Sequence, residues 1–169
     1  MSNNVTPIRD GIVQPPPPTD PPEPSAWALI GTAQDELRAA AGLCRAGALA
    51  LAAAAKPDIP AALPEVQKTI AGVVESALKG LPRALNALAP VVEEDDADVI
   101  MPIFNVCGLL LVIQSALSAD EPVGGRGLVD DPIAGSLETA ADTLGEDCEQ
   151  GLSARCAAML TKLRDGVQH

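Results

Sequence analysis

The chain predicts an all-α fold: an antiparallel bundle of four to five helices behind a disordered, Pro-rich N-terminal tail. Three observations carry this expectation. Hydrophobic residues make up 47% of 169 residues but aromatics only 1%, so the core material is Ala, Leu, Val and Ile. Ala and Leu favour helices, while strands draw on β-branched and aromatic residues. Apolar residues recur at helical spacing along four segments, and no strand-like alternation of useful length interrupts them. Proline and glycine clusters punctuate the chain where helices should end.

Residues 1–24 hold Pro15 to Pro18, Pro21, Pro22 and Pro24. Proline cannot donate a backbone hydrogen bond and prefers extended polyproline II, so the stretch reads as a solvated tail preceding a single domain over 25–169. Ser25 is a good N-cap for a first helix running to about Ala55. Its stripe is Trp27, Ile30, Leu37, Ala41, Cys44, Ala48 and Leu51. Gly42 and Ala46 form a small pair that would allow close helix contact. Pro57 and Pro60 end the element.

A second helix begins at Pro64, where the missing N–H costs nothing. Val66, Ile70, Val73, Ala77 and Leu78 form its stripe, and Gly80 with Pro82 is expected to break or kink it before a short piece from Arg83 to Leu88. Acids then precede an apolar run over Val99 to Ile113, which reads as a third helix starting near Asp96. Being apolar almost all round, this helix is expected at the centre of the bundle, with Ile103, Phe104, Cys107, Leu110 and Leu111 in the core. Residues 120–131 read as a loop. The last helix starts at Asp131 and Pro132, with a stripe of Ile133, Leu137, Ala141, Leu144, Cys148, Leu152, Cys156, Met159 and Leu163. Gly145 and Gly151 should bend or split it.

Net charge is −12 and the pI is near 4.3. An acidic chain lacks the basic footprint that displaces phosphate counterions, so no direct nucleic-acid binding is expected. It also gains nothing from an anionic membrane surface. Val99 to Ala119 is an uncharged run long enough to span a membrane. Pro102, Asn105, Gln114, Ser115 and Ser118 interrupt it, and no Lys or Arg lies between Ala84 and Gly125, so it reads as core rather than span.

Catalytic chemistry is sparse. The only histidine is His169, the last residue, so no nucleophile has an imidazole base held beside it. Cys44, Cys107, Cys148 and Cys156 lack the paired spacing of metal sites and read as reduced core residues of a cytoplasmic protein. No enzyme activity, cofactor or metal is expected. What remains is acid. Glu93, Glu94, Asp95, Asp96 and Asp98 place five carboxylates in six residues. Glu138, Asp142, Glu146 and Glu149 line one face of the last helix. Both groups are candidate surfaces for a protein with a basic patch. The function expected is therefore an interaction module: an adaptor, assembly factor or inhibitor. The Ala-, Pro- and Gly-rich composition is of the kind found in GC-rich bacteria and their phages. The alternatives are a membrane-associated protein using 99–119 and a structural subunit of a homo-oligomer.

Overall fold

The computed structural model describes residues 23–54, 63–93, 96–118 and 130–166. The Pro-rich tail up to residue 22 and the connector 119–129 lie outside the described residues, as do Glu94, Asp95 and His169. The described chain is all-α. Its helices are α1 (Ala26–Ala54), α2 (Leu63–Leu88), α3 (Ala97–Ser118), α4 (Asp130–Asp142) and α5 (Cys148–Gly166), with the π turn Thr143–Asp147 joining the last two.

Ser25 caps α1: its Oγ accepts the Ala28 N–H at 3.2 Å. The expected α1 stripe is buried from Ile30 to Leu51, but Trp27 is exposed. The first turn itself is docked, with Ala26, Leu29 and Ile30 packed on the core, and Trp27 lies at the edge of that buried face. Close contact occurs not at Gly42 and Ala46, which are exposed, but at buried Gly47. A Cβ there would lie 3.2 Å from Leu137, 3.7 Å from Val73 and 3.8 Å from Ile70, so three helices converge on the missing side chain.

α2 does not break at Gly80 and Pro82; it runs on through Leu88. An interior proline removes one hydrogen bond and costs about 3 kcal/mol in an isolated helix. Here the ring faces solvent, while Leu81, Ala84 and Leu88 on the opposite side are fully buried and hold both halves in line. Packing outweighs propensity.

α1 packs along both α2 and α4, and α3 packs on α2, α4, the π turn and α5. Among the described residues no Cα of α1 comes within 8 Å of one in α3. The order of contacts is opposite along paired helices. Glu36 meets Arg83, whereas Gly47, further along α1, faces Ile70. Arg38 meets Glu149, whereas Arg45 meets Asp142.

Contact on one side only corrects the placing of α3 at the centre. Val99, Ile103, Val106, Leu110 and Ile113 are buried, but Phe104 and Leu111, expected in the core, are exposed, and Cys107 is half-buried. A helix at a corner of the arrangement has neighbours on one flank, so a stripe that is apolar all round cannot be covered.

The bend expected near Gly145 is the π turn, where the Cys148 N–H reaches the Thr143 carbonyl. The extra residue per turn rephases the helix, which keeps Leu137, Leu144, Cys148 and Leu152 on one buried face. Leu163, expected on this stripe, is exposed because the end of α5 extends past its neighbours. Gly151 does not split the helix. It serves close approach: a Cβ there would lie 3.2 Å from the Asp98 carbonyl oxygen and 3.4 Å from the Val99 Cα. Pro102 has no N–H to offer that carbonyl, which would otherwise be its helical partner. Backbone atoms cannot swing aside as a side-chain tip can. Gly151→Val is therefore expected to push α3 from α5 and cost about 1–3 kcal/mol, read by urea unfolding. Gly47→Ala, which crowds only the end of Leu137 and meets Val73 and Ile70 at ordinary contact distance, should cost less than about 1 kcal/mol.

Candidate functional site

The acidic cluster before α3 is tied to the fold by one arginine. Arg155, on α5, has a side chain only 9% exposed. Its Nε and Nη2 donate to the Val91 carbonyl at 3.1 and 2.7 Å. The same guanidinium pairs with Glu93 at 3.0 Å and Asp96 at 3.2 Å. Lys162, two turns further along α5, adds a 2.8 Å bond to Glu93. Asp96 also accepts the Glu93 N–H at 2.9 Å, which closes the link between α2 and α3. Planar guanidinium geometry suits this task, because one group serves a carbonyl and two carboxylates at once. Of the cluster, Asp98 alone is exposed with no cation partner among the described residues; Glu94 and Asp95 lie outside them.

The Lys162 and Arg155 hydrogen bonds hold the Glu93 carboxyl below its ordinary value of 4.5. A group whose folded value is depressed contributes stability that is fully present above its ordinary value and is lost as pH falls through the folded one. Glu93→Gln is thus expected to flatten the fall of melting temperature below about pH 4.5 without changing the profile near neutrality. Parallel melts across the acid range would check it.

The second acidic group is divided. Asp142 meets Arg45 at 2.8 Å and Glu149 meets Arg38 at 2.7 Å, both across to α1. Glu138 and Glu146 are exposed without a cation partner among the described residues. The pairing was open to sequence reasoning in principle: Arg38 and Arg45 are seven apart, as are Asp142 and Glu149, in opposite order.

Between the start of α3 and α5 lies an open cleft of about 690 Å³, walled by Asp96, Asp98, Asp147, Gln150 and Arg155. Its carboxylates face a guanidinium that is already engaged. Among the described residues no three His, Cys, Asp or Glu side chains converge as metal ligands would. The four cysteines are free thiols. Burial pushes Cys44 up to about 11, and burial with the neighbouring Asp147 charge does the same for Cys148. Both are therefore protonated near neutrality, and the thiol is a poor nucleophile. Burial also raises Cys107.

The surface feature that sequence reasoning missed is apolar. Met101, Phe104, Leu111 and Val112 stand on the outer face of α3 at 52%, 54%, 56% and 67% exposure. Gly108, also exposed, lies between the two pairs. Helical spacing places 101, 104, 108, 111 and 115 on one seam. The signal was present, in that α3 is apolar on more faces than one packed flank can cover. α1 and α3 are both long and apolar enough to cross a membrane by length and composition, with mean hydropathies of 1.3 and 2.0.

The sequence matches no family model, and neither a curated protein nor a solved structure matches it significantly.

Proposed function

We propose that this chain is a non-catalytic protein–protein interaction module, an antiparallel four-helix bundle acting as an adaptor, assembly factor or inhibitor. The observation that carries this reading is the exposed apolar face of α3. Four large side chains, each more than half exposed, present on the order of 400 Å² on one helix. A patch of that size equals the largest on a typical folded monomer, and such patches are often functional. The opposed order of contacts along α1 supports the antiparallel arrangement. The acids without internal partners, Asp98, Glu138 and Glu146, suit a rim that favours a basic partner in the cytoplasm.

This reading moves the centre of the surface. Glu93, Asp96, Asp142 and Glu149 are occupied with the chain's own bases, so the docking energy is assigned to Met101, Phe104, Leu111 and Val112, with charge at the margin. The experiment is a photo-crosslinking amino acid at Phe104, compared with one at Glu75 on α2, in cells making the full chain. Adducts from position 104 and none from 75 are expected. Equal or no adducts at 104 would remove the interaction reading.

A second reading is membrane association through α3, favoured by its hydropathy of 2.0 with little of it buried. Against it stand Asn105, Gly108 and Ser115 on the exposed face and the acids at its N-terminal end.

A further inference from the structure

We infer that the occupant of the α3 face is a second copy of this chain, the two α3 helices crossing antiparallel about a two-fold axis at Gly108. The inference rests on the reading of that face as an interaction surface.

The first support is the shape of the seam, open at its centre and bulky on either side. A two-fold contact must bring residue i against j and j against i. With the axis at Gly108, Phe104 of each copy falls opposite Val112 of the other, and Leu111 opposite Asn105. Met101 falls opposite Ser115. The seam is empty at its centre and bulky on both sides: nothing lies within 4 Å of where a Gly108 Cβ would be. Two such helices can approach closely at the glycine while the large side chains flank the crossing.

The second support is charge. Each copy carries −12, so most approaches between two copies oppose like charges. Val99 to Ser118 contains no ionisable group but Cys107, and that thiol is half-buried and held neutral by burial. The α3 face between residues 99 and 118 is thus a part of the described surface on which two copies can meet with no carboxylate between them. Glu138 and Glu146 lie off this neutral seam, on α4 and the π turn, and stay open to a basic partner.

The third support is area. Two faces of about 400 Å² bury roughly 800 Å² of apolar surface, and a margin of Asn105, Ser115 and Ala116 brings the total to the lower end of specific interfaces, about 1,200 Å². A contact of that size is expected to dissociate on dilution, in the micromolar range. It should tighten with salt, because salt screens the repulsion between acidic copies.

Sedimentation equilibrium of the full chain from about 1 µM to about 500 µM tests it. The expected result is a mass rising from 17.2 kDa toward twice that value, more steeply at high salt. Phe104→Glu should remain monomeric throughout, with the circular dichroism and dilute melting curve of the parent. Gly108→Cys should form a disulfide-linked dimer on mild oxidation, while Val112→Cys and the parent do not. About an antiparallel axis at 108, the two 112 positions lie about 12 Å apart along the helices, beyond disulfide reach. A parent that stays monomeric overturns the inference, as does a dimer that survives Phe104→Glu or links as readily at 112 as at 108. Uptake of the monomer by phosphatidylcholine vesicles through α3 overturns it in favour of a lipid surface. Crosslinks from position 104 only to a different protein also overturn it, yet leave the interaction reading intact. Absence of any crosslink from 104 removes both.

Discussion

Leu110→Ala is expected to destabilise the fold by about 2–5 kcal/mol, whereas Leu111→Ala, one residue on, should cost no more than about 0.5 kcal/mol. The two leucines share a helix and a sequence neighbourhood but not a face. Leu110 is fully buried with Ile103, Val106 and Ile113 in the common core, while Leu111 is 56% exposed. Truncating Leu110 removes its transfer energy and leaves a cavity that its neighbours fill only partly. Truncating Leu111 removes a side chain that is mostly in water already. Urea unfolding at concentrations where copies are apart measures both. Equal costs would place α3 at the centre of the bundle after all.

Arg155→Met should cost about 2–4 kcal/mol, the largest effect expected of any charged residue here. The substitution keeps the buried aliphatic stem but strips the partner from the Val91 carbonyl and from Asp96. Breaking a buried pair costs 3–5 kcal/mol when the remaining charge is sealed from water. Glu93 is well exposed and can rehydrate, which sets the expectation somewhat lower. Arg155→Lys should recover little, because an ammonium cannot serve a carbonyl and two carboxylates from one position. Arg155→Met with Asp96→Leu should recover part of the loss, since a well-packed apolar pair often matches a buried ion pair. No recovery in the double variant would locate the cost at the Val91 carbonyl instead. The surface pairs Arg38–Glu149 and Arg45–Asp142 offer the contrast: each is about half exposed on both sides and is worth no more than about 1 kcal/mol.

Arg155 also shows what the sequence leaves unsaid about the acidic cluster. Five acids in six residues are conspicuous in a sequence, but the base that neutralises two of them lies about sixty positions away on α5. Nothing local to Glu93 or Asp96 announces it. The same holds for Asp142 and Glu149, whose partners are nearly or more than a hundred positions away on α1. Ion pairing is a relation between helices, and the helices must be docked before it exists.

Local chemistry determined the rest. An alanine- and leucine-rich composition with one tryptophan and one phenylalanine dictates helices, because the residues that stabilise a pleated sheet are scarce. Ser25 sets the start of α1, acids mark the start of α3, and Gly145 marks the irregular turn between α4 and α5, each through hydrogen bonding or backbone freedom within a few residues. Tertiary structure decided three things. It kept α2 helical through Pro82, because buried side chains on both sides of the proline outweigh its penalty. It chose Gly47 and Gly151 as the points of close approach, because only docked neighbours define where a side chain has no room. It left Met101, Phe104, Leu111 and Val112 outside, because a helix apolar on every face can bury only the flank its neighbours reach. Hydrophobicity says that a surface seeks cover; the number and position of packed helices decide whether this chain supplies it.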